Sequence, residues 1–223
     1  MKLLAFDVDG TVLDTLDSII HHVNESLHEN GFYRVDNREY FKKILGYGSK
    51  YLIEKALIFP YNHIYDKNLT DEILDYYMKR YENEPSYLTK PYPGMKELLV
   101  KLKEEGYILV AYSNKPHDVL IKVMSDIFEE GLFDEIEGIK SGAPTKPDPT
   151  VLNDIIEKYG VTKEEACYIG DSDVDMATAK NAGVHAIAVT WGFRTREQLE
   201  ELKPEYIVDN AEELKEVIDR LKD

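Results

Sequence analysis

Cysteine is nearly absent from this chain of 223 residues, in which Cys167 is the only thiol. A single cysteine excludes a disulfide within the chain, and its apolar neighbours predict a buried structural residue. Long apolar runs are absent too, since no stretch approaches the roughly 20 residues of a membrane-spanning helix. The first residues lack the apolar region and cleavage site of a signal peptide. Together these absences predict a cytoplasmic protein that does not enter a membrane.

Positive charge is scarce as well. The 27 lysines and arginines are outnumbered by 43 acidic residues, so the formal net charge is -16. Such a surface repels nucleic acid and anionic membranes. It also repels an anionic substrate at long range, so a phosphate ester would need local cations and a metal ion at its site. The histidines form no zinc-binding pattern, and the sequence contains neither a P-loop nor a dinucleotide-binding glycine fingerprint.

Segments rich in β-forming residues alternate with helical patterns through most of the chain. This alternation predicts an α/β fold with a Rossmann-like, doubly wound parallel sheet that is covered by helices on both faces. The predicted strands are 2–9, 107–113, 133–139, 166–171, 185–190 and 205–208, and the predicted helices between them are 94–105, 118–130, 150–159, 173–182 and 211–221.

The alternation is interrupted after the first strand. Residues 15–88 show helical patterns without a convincing strand, and apolar residues recur there at helical spacing. We therefore predict two parts, an α/β core of residues 1–14 and 89–223 and a helical insert of residues 15–88. Residues 89–94 contain two prolines followed by a glycine, and we interpret them as the linker that returns the chain to the core.

Acidic residues follow two of the predicted strands. Asp7 and Asp9 end the first strand, and because they lie two positions apart, both can point the same way. Asp171 ends the fourth strand. Ligands of open α/β sheets bind beyond the carboxyl ends of the strands, so the three acids converge if these strands are neighbours. Buried like charges need neutralisation, and Mg²⁺ would supply it. A solvated Asp-Gly turn is the alternative interpretation.

A calcium loop is a competing interpretation of the second acidic segment. Asp171, Asp173 and Asp175 match the first, third and fifth positions of such a loop. Its sixth position should be glycine and its twelfth glutamate, but Met176 and Ala182 stand there, so we reject it. The last two aspartates instead begin a predicted helix, where acids favour the positive end of the helix dipole.

Two further segments lie at the same predicted edge of the sheet. Ser113 and Asn114 end the second strand, where a hydroxyl and exposed backbone N–H groups can hold a phosphate, although a simple helix N-cap accounts for the same residues. Lys146 follows in a proline-flanked loop. An ammonium group there could offset the negative charge of a nucleophile and a phosphate.

Four segments, in this order, resemble the four motifs of the haloacid dehalogenase superfamily. They are residues 7–11, Ser113 with Asn114, Lys146, and residues 170–175. The resemblance covers nearly the whole chain, with the helical insert at the site of that superfamily's C1 cap. Within the family, segments 46–52 and 189–194 resemble phosphoglycolate phosphatases. A dehalogenase is disfavoured, because that branch lacks the second aspartate.

The resemblance implies a mechanism. Asp7 would attack phosphorus and form an aspartyl-phosphate, while Asp9 would protonate the leaving oxygen and then remove a proton from water. Mg²⁺ would bind the carboxylates of Asp7 and Asp171 and the backbone carbonyl of Asp9. Ser113 would hold the phosphoryl oxygens, and Lys146 would neutralise Asp7 and the transferring group.

Other residues would support this chemistry. Asp175 would orient a metal-bound water or the catalytic lysine. The resemblance also implies that the loop 46–50 of the insert closes over the substrate and that Lys50 could meet a substrate carboxylate. The residues expected to bind or position the substrate are Thr11, which would also position Asp9, the N–H of Asn114, Gly48, Ser49 and Lys50.

The expected substrate is a small phosphate ester, foremost 2-phosphoglycolate, and the protein is expected to be a monomer or homodimer. Other members of the same superfamily leave alternatives open: a sugar phosphate mutase of the β-phosphoglucomutase type, a pyrophosphatase or a nucleotide phosphatase. A phosphonate hydrolase would need a Schiff-base lysine, and none of the lysines of the insert stands out. A non-catalytic protein that binds phosphate esters is the remaining alternative, although every expected catalytic residue is present.

Overall fold

A computed structural model describes residues 1–59 and 66–222, so residues 60–65 of the predicted insert lie outside the described residues. A six-stranded parallel sheet forms its centre, and two short strands form a separate antiparallel ribbon. In chain order the strands are β1 (Leu3–Phe6), β2 (Leu13–Asp14), β3 (Lys90–Pro91), β4 (Ile108–Pro116), β5 (Glu135–Ile139), β6 (Ala166–Gly170), β7 (His185–Val189) and β8 (Tyr206–Val208).

The order of the strands in the large sheet is β5-β4-β1-β6-β7-β8. Strand β1 therefore lies between β4 and β6, and it pairs in parallel with both. All four of its residues are fully buried, as expected for a central strand that is covered on both faces. The chain builds the sheet outwards from β1 in one direction and then in the other, which places a topological switch point beside this strand.

Helices cover both faces of the sheet, which confirms the predicted fold class. Leu4 and Phe6 pack on the face that α5, α6 and α10 cover, whereas Leu3 and Ala5 pack on the face of α7 and α8. The helices are α1 (Leu16–Glu29), α2 (Arg38–Ile44), α3 (Ser49–Ile58), α4 (Lys67–Asn83), α5 (Met95–Glu104), α6 (His117–Ile127), α7 (Thr150–Lys158), α8 (Asp173–Ala182), α9 (Arg196–Leu202) and α10 (Ala211–Arg220).

Helices α1 to α4 follow β1 and precede β4 in the chain, and they pack on one another. The predicted stripe of α1 is buried at Leu16, Ile19, Val23 and Leu27, and its contacts continue without a break into the core of the sheet. The ribbon of β2 and β3 pairs the two segments that lead into and out of these helices. The division into two domains at these positions remains a prediction.

The structure contains elements that the sequence-based prediction did not include, among them β2, β3 and α9. Residues 89–94 do not form a plain linker. They contain β3, which pairs antiparallel with β2. Helix α9 was not predicted. It has a capping box in which Thr195 and Gln198 satisfy each other's backbone N–H groups, and this Thr-x-x-Gln pattern is the signal that could have revealed the helix. Within the described residues, no helix combines the length and apolarity needed to cross a membrane.

The packing of α5 gives a test of the core. Leu99 is fully buried, whereas its neighbour Val100 is 41% exposed. We expect Leu99→Ala to lower the free energy of unfolding by about 2–5 kcal/mol, because it leaves a cavity under the sheet. Val100→Ala is the matched control and should change it by less than about 0.5 kcal/mol. Urea denaturation of both variants measures this, and equal losses would contradict the packing described here.

Candidate active site

A cavity of about 50 Å³ lies at the carboxyl ends of β1, β4 and β6, between the sheet and the helical insert. Residues of the core and of the insert both line it. The core contributes Asp7, Asp9, Ser113, Asn114, Lys115, Pro116, Lys146, Asp171, Ser172 and Phe193, and the insert contributes Ile19, Ile44, Leu45, Gly46, Gly48, Ser49, Leu52, Tyr77 and Tyr81. The structure thus brings most of the predicted site residues to one place.

Three buried acids meet at the base of this cavity. Carboxylate oxygens of Asp7, Asp171 and Asp175 lie within 4.8 Å of one another. Asp7 directly follows β1, and its N–H group extends the ladder by donating to the carbonyl of Ile169 at 2.8 Å. Asp171 directly follows β6. Of the three acids predicted to converge, Asp7 and Asp171 do so because these two parallel strands are adjacent, whereas Asp175 and not the carboxylate of Asp9 completes the cluster.

Two hydrogen bonds fix the carboxylate of Asp171. The hydroxyl of Thr11 donates to Oδ1 at 3.0 Å, and the N–H of Phe193 donates to Oδ2 at 2.7 Å. Glycines make this close approach possible. A Cβ atom at Gly10 would lie 2.6 Å from the carboxylate, and one at Gly192 would also overlap it. Gly10 in addition has a φ of +95°, which side chains rarely tolerate.

Lys146 is the central cation of the site. Its side chain is 3% exposed, and its Nζ atom donates to Oδ1 of Asp7 at 2.6 Å, to Oδ1 of Asp175 at 2.7 Å and to the hydroxyl of Tyr168 at 2.9 Å. The three donors of the ammonium are therefore all used. This ion pair confirms the expected proximity of Lys146 to Asp7. The catalytic role of Lys146 remains a prediction.

The side chain of Asn114 holds the loop that carries Lys146. Its Oδ1 atom accepts from the Lys146 N–H at 2.9 Å, and its Nδ2 atom donates to the Lys146 carbonyl at 3.0 Å. The same Nδ2 atom also donates to the carbonyl of Gly46 in the helical insert at 2.9 Å. Sequence reasoning considered only the backbone N–H of Asn114 and missed this positioning role.

Asp175 is tied to the protein through both oxygens. Oδ1 accepts from Lys146, while Oδ2 accepts from the N–H of Ser172 at 3.0 Å and from its hydroxyl at 2.5 Å. Ser172 is the N-cap of α8 and forms a capping box with Asp175. This arrangement agrees with the predicted supporting role of Asp175 and leaves direct metal binding mainly to the other two acids.

Negative charge exceeds positive charge in this cluster. Burial, and next the carboxylate of Asp175, raise the pKa of Asp7 well above its ordinary value, although Lys146 opposes this. Burial and Asp175 likewise raise the pKa of Asp171 to about 7. Burial lowers the pKa of Lys146, but Asp175 and Asp7 outweigh it and hold that pKa well above its ordinary value. Buried carboxylate oxygens in such excess fit a hard divalent cation.

Asp9 lies beside a second buried lysine that sequence reasoning did not single out. Oδ1 of Asp9 is 2.9 Å from Nζ of Lys115, whose side chain is only 3% exposed. The hydroxyl of Ser113 donates to Oδ2 of Asp9 at 3.3 Å. Nζ of Lys115 also donates to the hydroxyl of Tyr81 on α4. The only signal in the sequence was its place directly after Asn114, at the end of β4.

Two expected contacts differ in the structure. The hydroxyl of Thr11 is fully buried and bonds to Asp171, so it positions that acid instead of Asp9. Lys50 is not among the residues that line the cavity. Its ammonium lies 2.6 Å from Asp71 on the neighbouring helix α4, and these two half-exposed side chains form an ion pair. Gly48 and Ser49, by contrast, line the cavity as expected.

Arg194 fastens the helical insert to the core. Its Nη1 and Nη2 atoms donate to the carbonyls of Lys42 and Leu45 at the end of α2, at 2.5 and 3.3 Å. Its guanidinium also pairs with Asp173 at 2.8 Å. Asp173 therefore has a partner in the first turn of α8, and the hydroxyl of Tyr47 donates to it as well. The sequence contained no pattern that predicted this pairing.

Comparison with known proteins agrees with this geometry. Residues 4–189 match the family model of haloacid dehalogenase-like hydrolases, and the chain belongs to this family. It is 30% identical to phosphoglycolate phosphatase of Aliivibrio fischeri over 98% of this chain and 96% of that one. It is 31% identical to phosphoglycolate phosphatase of Aquifex aeolicus over 86% of each.

The fold is also shared with a protein of known structure. The crystal structure of a candidate phosphoglycolate phosphatase from Lactobacillus delbrueckii subsp. bulgaricus superposes with a TM-score of 0.89. The two proteins are 30% identical, and the alignment covers 97% of this chain and 98% of that one. The fold and the helical insert are thus shared over nearly the whole length.

The raised pKa of Asp171 predicts a pH-dependent response to metal. The folded protein binds the proton of Asp171 more tightly than the unfolded chain does. Protonation of Asp171 therefore stabilises the folded protein at low pH, and this contribution is lost as pH rises toward about 7. A cation compensates only the ionised form. Mg²⁺ should therefore raise the melting temperature more at pH 8 than at pH 5, as measured by differential scanning fluorimetry.

The control for this measurement is Asp171→Asn, which removes the titrating charge from the same position. It should reduce both the Mg²⁺ effect and its dependence on pH. An equal Mg²⁺ effect at both pH values, or a larger effect at pH 5, would contradict the assignment of a cation to these acids.

Proposed function

We propose that this protein is a Mg²⁺-dependent phosphatase that hydrolyses a small phosphate ester through an aspartyl-phosphate on Asp7. The observation that carries the proposal is the ion pair of Lys146 with Asp7 and Asp175, at the point where three buried acids meet beyond the strand ends. Within a family of hydrolases, this arrangement suits phosphoryl transfer, in which positioning and charge stabilisation carry most of the catalysis.

In the first step, the carboxylate of Asp7 attacks phosphorus. A bond forms between a carboxylate oxygen and phosphorus, and the bond between phosphorus and the ester oxygen breaks. Asp9 donates its proton to the departing oxygen, so an alcohol leaves. Lys146 holds Asp7 in place and offsets the negative charge of the transferring group, and the hydroxyl of Ser113, which already contacts Asp9, holds a phosphoryl oxygen.

In the second step, Asp9 removes a proton from a water molecule, whose oxygen attacks phosphorus. The bond to Asp7 breaks, inorganic phosphate leaves, and both aspartates return to their starting forms. A Mg²⁺ ion would be held by the carboxylates of Asp7 and Asp171 and the carbonyl of Asp9, and it would supply positive charge to the phosphoryl oxygens. Thr11 and Phe193 keep Asp171 aligned for this role.

The proposed substrate is 2-phosphoglycolate. The names of relatives near 30% identity support it. We place the activity in the cytoplasm, in a monomer or homodimer. The net charge of -16 supports a small molecule, and not nucleic acid or a membrane, as the partner.

Asp7→Asn tests the covalent mechanism. With 2-phosphoglycolate and Mg²⁺, phosphate release should fall by on the order of a thousand-fold or more, because the amide cannot attack phosphorus. Asp154→Asn, an exposed change on α7, is the matched control and should retain full activity. Since burial raises the pKa of Asp7, a neutral amide is expected to leave the melting temperature near that of the wild type.

Parallel assays with sugar phosphates, nucleotides and pyrophosphate test the substrate. A kcat/KM for 2-phosphoglycolate at least a hundred-fold above the others would support the assignment, whereas a flat profile or another leading ester would refute it and leave the phosphatase chemistry standing. Phosphate release that persists in Asp7→Asn would refute the aspartyl-phosphate. Conversion of a sugar phosphate to its isomer without phosphate release would point to a mutase.

A further inference from the structure

A second buried ammonium group is the most unusual feature that the phosphoryl-transfer chemistry leaves unused. Lys146 already neutralises Asp7 and Asp175. Lys115 has no part in that cluster, although its side chain is just as buried and it lines the same cavity. Burying an ammonium is costly without a compensating anion or strong acceptors, so its presence calls for a reason.

The surroundings of Lys115 leave it able to accept another partner. One N–H of its ammonium donates to the hydroxyl of Tyr81. A second N–H faces Oδ1 of Asp9, which forms an ion pair with Nζ at 2.9 Å in poor hydrogen-bond alignment. An ammonium carries three donors. Lys115 therefore retains donor capacity that its present neighbours do not use.

The position of Lys115 fixes which end of a substrate it would meet. The phosphoryl group must lie at Asp7 and Lys146, and Asp9 must face the oxygen that leaves. Lys115 lies directly beyond Asp9, between that acid and Tyr81 of the helical insert. A group attached to the leaving oxygen, two or three atoms from phosphorus, would thus come next to this ammonium.

Few cations face this cavity. Of the described residues that line it, only Lys115 and Lys146 carry positive charge, and the described part of the insert contributes apolar, glycine, serine and tyrosine side chains. The expected cation of the insert, Lys50, is engaged with Asp71 instead. In a protein of net charge -16, a cation that faces each anionic group of a doubly anionic substrate offsets the long-range repulsion.

We propose that Lys115 is the residue that selects substrates with a second anionic group, by binding a carboxylate on the leaving-group side. This inference rests on the proposed phosphatase function and refines it. The favoured class is a short phosphorylated hydroxy acid, in which the carboxylate lies next to the carbon that bears the phosphate ester. The contact persists from substrate to transition state, so it acts on binding of the substrate and not on the chemical step.

The test uses two esters of the same size that differ in charge, 2-phosphoglycolate and 2-hydroxyethyl phosphate. Lys115→Met removes the ammonium and keeps the length of the side chain. We expect KM for 2-phosphoglycolate to rise roughly 10- to 100-fold, the effect of losing one charge-assisted hydrogen bond. For 2-hydroxyethyl phosphate KM should stay within about three-fold. Any change in kcat that arises through Asp9 should be the same for both esters, so the ratio of their kcat/KM values reports the carboxylate contact alone.

Lys122→Met is the matched control. Lys122 also joins the core to α4, by donating to the carbonyl of Glu82 at 3.3 Å, but it is exposed and lies outside the cavity. Its replacement should leave the kinetics of both esters unchanged. If Lys115→Met lowers kcat/KM by the same factor for the two esters, the lysine acts only through Asp9 or through the attachment of α4, and the selection proposal is overturned.

A folding defect would not leave the proposal untested. Wild-type protein must itself prefer 2-phosphoglycolate over 2-hydroxyethyl phosphate by at least ten-fold in kcat/KM, and equal values would overturn the proposal without any variant. Lys115→Arg keeps the charge, so it should retain most of that preference. The melting temperature of each variant shows whether it is folded.

Binding without turnover separates this inference from the proposed function. Isothermal titration of both esters into Asp7→Asn, with Mg²⁺, and into Asp7→Asn combined with Lys115→Met measures the contribution of the ammonium alone. Charge-dependent binding that requires Lys115, in a wild-type protein that releases no phosphate, would refute the phosphatase and keep the anion site. Phosphate release without such binding would refute the anion site and keep the phosphatase.

Discussion

The ion pair that joins Lys146 to Asp7 and Asp175 is the interaction on which the rest of the site depends. It holds two carboxylates within reach of one ammonium, while a third acid, Asp171, lies alongside and forms no ion pair within the described part of the chain. Several features of the fold make this cluster possible. Parallel strands bring the acids together, the amide of Asn114 fixes the lysine loop, and Gly10 and other glycines give the carboxylates room.

The contacts between the helical insert and the core converge on the same region. Asn114 bonds to Gly46, Arg194 bonds to the end of α2, and Lys115 bonds to Tyr81. Each joins a residue at the edge of the sheet to the insert. The insert therefore rests on groups that also contact Lys146 and acids of this region, so its placement and the geometry of the site are physically linked.

The sequence predicted the parts of this structure that repeat a simple rule. Alternating patterns indicated the sheet, and acids at strand ends indicated where Asp7 and Asp171 would meet. Side-chain partners followed no such rule. Lys115 and Lys50 look alike in sequence, yet the first is buried beside Asp9 and the second pairs with Asp71. Which one faces the cavity depends on where the packing of α4 places Tyr81 and Asp71, and that packing is a tertiary property.

The hydrogen bonds of Asn114 have a consequence for any motion of the insert. Two of them join the amide to the backbone of Lys146 within the core, and the third joins it to the carbonyl of Gly46. If the insert swings away, only the third has to break. The lysine loop would stay anchored throughout, so opening of the cavity need not disassemble the charged cluster of Lys146, Asp7 and Asp175.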